Sequence, residues 1–344
     1  MLSRLGLALL VFFQFTSGLS QTEWTPEEVE SVLGGVDIQV DQALDALEKK
    51  GVTPYDFGFH LLRNGHVDKA KAWLKVIGIK TKDLKYIYGL AWMKWITGDS
   101  QGAINDVKYI LARNPPALLQ ARTLYLLGAV SVDEFDFEVA RNNLNAAIEG
   151  YKALEKLGGQ YLCVTMLAKC AVFEGDFHLV EPLLERAAEL NEGVKLKGKK
   201  PYSAGAHHEI LSELRYAEGD YQGALTEAKN SAEAYRVGEE FHLADDVDAK
   251  IAFLLLLTGK PKDAHRLASQ LWQENHDKRD RERLLAYNSI TLMKLSLCSG
   301  NDQDADDKEN AARTWAEAGP GGKALINLLN WAKEEKNFPC PEWR

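Results

Sequence analysis

Apolar residues recur three and four positions apart along most of this chain, the spacing that gathers them on one face of a helix. Phe57, Gly58 and Leu61 precede Gly65, and Ala70, Leu74 and Ile77 follow it. Leu124, Leu127 and Gly128 precede Phe135, and Ala140, Leu144 and Ala147 follow it. Each pair of runs brackets a short polar turn, and the turn itself recurs. Its forms include Thr97-Gly98-Asp99-Ser100-Gln101-Gly102-Ala103, Glu218-Gly219-Asp220-Tyr221-Gln222-Gly223-Ala224 and Thr258-Gly259-Lys260-Pro261-Lys262-Asp263-Ala264. Another copy, Glu134-Phe135-Asp136-Phe137-Glu138-Val139-Ala140, has lost the Gly. The pivots Gly65, Gly98, Phe135, Gly175, Gly219, Gly259 and Gly300 are 33, 37, 40, 44, 40 and 41 residues apart.

Each part of the turn has a physical task. Gly ends a helix in the left-handed conformation, Asp or Asn caps the next helix, and a small residue lets the two helices approach closely. The pattern therefore predicts an all-α chain of about seven helical hairpins. Stacking is what buries their apolar faces.

In its turns and offsets the chain resembles the tetratricopeptide repeat family. The second copy carries the resemblance best, with Ile87, Leu90, Ala91, Gly98, Ala103, Val107, Ile110 and Pro115 at the family's offsets. It extends over about 51–313. Later units are longer than the usual 34 or so residues, Pro is mostly absent at unit ends, and Glu309 stands where the last copy should be apolar. The resemblance implies a right-handed α-solenoid whose first helix in each unit lines a concave groove.

Other segments flank this array. Met1 to Arg4 and the short apolar run Leu5–Phe15 have the form of an export signal, with cleavage after Gly18 or Ser20, so 1–20 is expected to be removed and the protein to be periplasmic or secreted. Neither this run nor Ile251–Leu257 has the length of about 20 apolar residues that spanning a membrane takes. Thr25-Pro26-Glu27-Glu28 is a capping box that opens N-terminal capping helices over 21–50. Gly319-Pro320-Gly321-Gly322 separates a helix holding Trp315 from an apolar-faced helix over 324–336, and 314–344 is read as a C-terminal cap and tail. The stretch 191–203 reads as the longest loop.

With 41 Lys+Arg against 50 Asp+Glu, the net charge of −9 gives no general attraction to nucleic acid. Of four cysteines, Cys163 and Cys170 are two helical turns apart, too far to pair, and read as buried apolar residues. Cys298 and Cys340 are spaced so that a disulfide between them would fasten the tail to the last unit. No catalytic motif is complete. His207-His208-Glu209 lacks a second His four positions after His208, Asp302 to Asp307 lacks the calcium-loop Gly, and Gly319 to Lys323 lacks both ends of a phosphate loop. No catalytic residue, cofactor or metal is therefore expected.

The resemblance turns a set of aromatics toward the groove: Tyr55, Phe59, Tyr88, Trp92, Trp95 and Tyr125. Clustered exposed aromatics are what a binding surface uses; the alternative is that some of them fill the core between helices. The leading expectation is an exported, non-catalytic scaffold that binds a partner protein or extended peptide in the groove. A second is a glycan or small-molecule binder that stacks sugar rings on these aromatics. A third is a helical-toroid glycoside hydrolase with acids such as Glu209 and Glu213.

Overall fold

A computed structural model describes residues 47–49, 52–63, 67–81, 83–197, 204–238, 241–276, 281–318 and 322–334. The expected signal segment, nearly all of the N-terminal cap, the turn at Gly65, and Cys340 lie outside the described residues. The rest is helical. Helix α1 (Pro54–Arg63) packs on α2 (Val67–Thr81), α3 (Leu84–Ile96) on α4 (Ser100–Leu111), α5 (Ala117–Asp133) on α6 (Phe137–Ala153), and α7 (Leu157–Glu174) on α8 (Val180–Leu196). In the same way α9 (Gly205–Ala217) packs on α10 (Tyr221–Val237), α11 (Phe241–Leu257) on α12 (Pro261–Asn275), and α13 (Glu282–Ser299) on α14 (Asp302–Ala318). A last helix, α15 (Gly322–Lys333), follows them. Asn191–Leu196, expected as loop, instead completes α8.

The turns work as their residues require. Gly98, Gly175, Gly219, Gly259 and Gly300 all have φ between +74° and +90°. Phe135, in the copy without Gly, takes the same conformation at φ +61°. Its ring packs near Phe137 and Phe173, at 5.9 and 6.0 Å between centroids, and that packing offsets the local strain. Asp99, Asp136 and Asp220 each accept the backbone N–H three residues on, capping the second helix. Close approach within a hairpin also repeats in register. A Cβ on Gly58 would lie 2.6 Å from Leu74, and one on Gly128 would lie 2.6 Å from Leu144.

Two of these glycines separate the cost of φ from the cost of contact. Nothing lies within 4 Å of a Cβ on Gly219, whereas one on Gly98 would meet the Ala318 carbonyl oxygen at 2.9 Å. Gly219→Ala should cost about 1–2 kcal/mol, the penalty for a left-handed L-residue. Gly98→Ala should cost more than Gly219→Ala in the same urea titration.

The odd-numbered helices form the inner layer. They touch one another in succession (α1 with α3, α3 with α5, α5 with α7, α7 with α9, α11 with α13), as helices on the tighter radius of a curved stack must. They are buried nearly all round: α7 from Gly159 to Phe173 and α13 from Arg283 to Ser296 have no break in burial. The even helices bury one stripe, as in α4, where Ala103, Val107 and Ile110 face inward. In this state the concave side is a packed seam between helices.

The stack also closes on itself. The Gly98 turn meets the end of α14 at Ala318, and α15 touches α5 across the ring. Lys323 on α15 pairs with Glu134 at the end of α5. Trp331, near the other end of α15, sits edge-on to Tyr216 of α9 and Phe253 of α11, each 6.3 Å away between centroids. Leu325, Leu328, Leu329 and Ala332 bury the apolar face that the sequence marks, and α13 and α14 pack against the helix.

Candidate functional site: the buried inner seam

Six and ten residues before each turn pivot, the inner helices carry two positions one helical turn apart. In the second unit these are Trp92 and Tyr88. In the fourth the position six before is Lys169, in the fifth the pair is Glu213 and Glu209, and in the sixth and seventh the position six before is Phe253 and Lys294. The inner lining thus changes along the chain from aromatic to charged.

The aromatic end is closed. Trp92 lies 5.0 Å from Trp95 and stacks on Tyr125 at 6.3 Å, and Tyr88 meets Trp92 edge-on at 6.3 Å. Tyr88 and Trp92 are 3% exposed, and Trp95 and Tyr125 are fully buried. Tyr55 is half-buried and its ring packs 6.2 Å from Tyr86. The Phe59 side chain lies outside the described set. The structure therefore brings Tyr88, Trp92, Trp95 and Tyr125 together, but as core between helices instead of the exposed groove wall expected of them.

The charged end is equally buried. On α5, Asp133 accepts from the Trp95 indole Nε1 at 2.9 Å and from Lys169 Nζ at 3.0 Å. Burial pushes the Lys169 ammonium down from its ordinary value, against the pull of Asp133. On α9, Glu209 accepts from Arg283 of α13 at 3.1 Å and from the Tyr235 hydroxyl at 3.0 Å. Glu213 accepts from Lys250 of α11 at 2.5 Å. Burial raises the Glu213 carboxyl even so. Both carboxyls of the glycosidase reading are thus held in buried ion pairs. His208, beside Glu209 in sequence, turns the other way and bonds Glu227 on α10 at 2.8 Å.

Some groups in the seam lack hydrogen-bond partners. Among the described residues, Asp246 Oδ2, the Tyr287 hydroxyl and both amide atoms of Asn288 are buried with none. Burial lifts the Asp246 carboxyl to about 6, against the counter-pull of Arg283 and Arg281, while Glu209 and Asp245 push it further up. Its folded value lies above the unfolded one, so between about pH 4 and 6 the native state holds the extra proton. Stability from this group is full below pH 4 and is lost as pH rises through 6, by at most about 3 kcal/mol. Asp248, also raised to about 6 by burial, adds to the same slope. Asp246→Asn should flatten the decline and be the more stable protein at pH 8, by about 1–3 kcal/mol. Urea titrations at pH 4, 6 and 8 test it.

Aspects outside the seam are plainer. Cys163 and Cys170 are free and buried, and burial raises both thiols, Cys170 to about 12. Cys298 is disulfide-bonded. Among the described residues no group of three His, Cys, Asp or Glu is placed to hold a metal, and no helix is long and apolar enough to cross a membrane. A cleft of about 450 Å³ lies between α12, α13 and the start of α14. Lys308 Nζ sits 5.4 Å over the Trp272 ring there.

The inner positions were legible by one rule that the aromatics alone did not reveal. The offset that selects Tyr88, Trp92 and Tyr125 in early units selects Lys169, Glu209, Glu213 and Lys294 in later ones. Charged residues at helical spacing read as solvated when no partner is visible, and their partners here lie 36 to 74 residues away.

No protein-family model and no curated protein matches the sequence. Solved structures match in fold. A Rap protein complexed with Competence and Sporulation Factor aligns with TM-score 0.57 and 14% identity, over 89% of this chain and 91% of that one. NprR in complex with its cognate peptide NprX aligns with TM-score 0.56 and 13% identity, over 90% of this chain and 100% of that one. The apo form of RapI gives TM-score 0.52 and 12% identity, over 80% and 97%. The chain has the tetratricopeptide-like α-solenoid fold.

Proposed function

We propose that this chain is an exported, non-catalytic receptor whose inner face takes an extended peptide or a segment of a partner protein. The observation that carries the reading is the set of unpartnered polar groups on the inner helices: Asp246, Tyr287 and Asn288. A buried amide with neither a donor nor an acceptor partner costs stability. It is matched when the main chain of a peptide supplies both. Two fold neighbours support the class of partner, since NprR was solved with its cognate peptide and a Rap protein with Competence and Sporulation Factor. The N-terminal segment and the disulfide at Cys298 support export to an oxidising compartment.

The test is capture of peptides by the chain from Gln21 onward, from its native envelope or secretome, beside an Asn288→Leu variant of matched stability. Peptides retained by the parent and lost with the variant are the expected result. A bait that retains no peptide or protein above background overturns the reading.

A further inference from the structure

The unpartnered groups of the seam are buried, so a ligand reaches them only if the helices around them part. Along the stack neighbouring units pack helix on helix, and among the described residues the bridge from the C-terminal end back to earlier units includes three contacts. These are the Gly98 turn against Ala318, Lys323 on Glu134, and Trp331 against Tyr216 and Phe253. Two of the three lie on α15, which reaches units three, five and six from the end of unit seven. The spacing suits the task. Lys323 and Trp331 are eight residues apart, about 12 Å along a helix, so a helix of only 12 residues touches both α5 and the α9–α11 pair. The Lys323–Glu134 pair is largely exposed, its side chains 56% and 30% accessible. A pair in that setting holds weakly. The apolar stripe of Leu325, Leu328 and Leu329 faces inward, while α13 and α14 supply most of the helix's contacts. The helix therefore has a firm side and a weak side.

We propose that α15 is a latch: it stays anchored on α13 and α14 and releases at Trp331 and Lys323, and that release uncovers the faces of α9 and α11 beneath Trp331 and admits the ligand there to the inner seam. Release separates Trp331 from Tyr216 and Phe253 and leaves an aromatic notch beside Glu213 and Tyr287. The inference goes beyond the peptide-receptor reading, and its test needs no ligand.

Trp331→Ala and Lys323→Glu, with the swapped pair Glu134→Lys, Lys323→Glu, are made in the full mature chain and compared by hydrogen exchange and small-angle X-ray scattering. The expected result for Trp331→Ala is exchange at least tenfold faster at the C-terminal ends of α5, α9 and α11, with a larger radius of gyration and unchanged helix content. Lys323→Glu should move the same amides by a smaller factor, and the swapped pair should restore them. The latch is overturned if exchange rises only within α15 at constant radius, which would make it a terminal cap. It is overturned equally if Trp331→Ala lowers protection evenly over all helices, which would make Trp331 ordinary core. Because both readouts use ligand-free protein, failure here leaves peptide capture untouched.

Discussion

Arg283→Met should destabilise the protein by about 3–5 kcal/mol at pH 7, the range for removing one partner of a buried ion pair. Arg283 is 4% exposed, and its guanidinium is the cation shared by Glu209, 3.1 Å away, and by the surrounding Asp246 and Glu213. Without it Glu209 keeps only the Tyr235 hydroxyl, and Asp246 loses the strongest of the charges that hold its carboxyl down. The deficit should shrink on acidification, because the Asp246 carboxyl then takes up a proton and that part of the uncompensated charge disappears. Adding Glu209→Gln, which keeps an acceptor for Tyr235 but carries no charge, should recover more than half of the loss. The measurement is the urea midpoint at pH 7 and pH 5, with unchanged slope as the check on two-state behaviour. A loss under about 1 kcal/mol would mean that water reaches the seam and that the ring is open in solution.

Trp95→Ala is the second large effect. The side chain is fully buried, lies 5.0 Å from Trp92, and donates its indole N–H to Asp133. Deleting it leaves a cavity, at a cost of about 3–5 kcal/mol for a large aromatic, and takes one hydrogen bond from a buried carboxylate that keeps only Lys169. Trp95→Phe separates the two contributions. It retains most of the apolar volume, so its cost of about 1–3 kcal/mol reports the hydrogen bond that Asp133 loses. Thermal and urea unfolding of the two variants read the difference. Alanine at both Trp92 and Trp95 is therefore a test of folding, and a loss of partner binding in that double variant would not locate a groove.

The sequence carried the hairpins clearly because their determinants are local. A left-handed Gly, an Asp cap and an Ala at the close approach act within seven residues, and even the exception, Phe135, obeys the same geometry. Burial of the inner aromatics was not legible. Whether Trp92 faces solvent or Tyr125 depends on the curvature of the stack, which sums small rotations over several units. Nor was the seam, since Lys169 has the look of a surface lysine until Asp133, from another unit, is set 3.0 Å away. The C-terminal helix was legible as amphipathic, and its apolar face is buried as expected. Its reach across the ring to Glu134, 189 residues away, depends on the closure and leaves no mark in the local pattern.

That closure changes how the chain can come apart. An open array with only neighbour-to-neighbour interfaces frays from its ends, and a scar in one unit is felt mainly by the next. Here the turn at Gly98 and the carbonyl of Ala318 meet across more than two hundred residues, so units two and seven brace each other and damage in unit two reaches unit seven directly. Melting should accordingly be a single concerted event. Folding bears the converse burden: contacts of such long sequence separation slow the search for the native topology. The early units must also wait, during synthesis, for a partner made more than two hundred residues later.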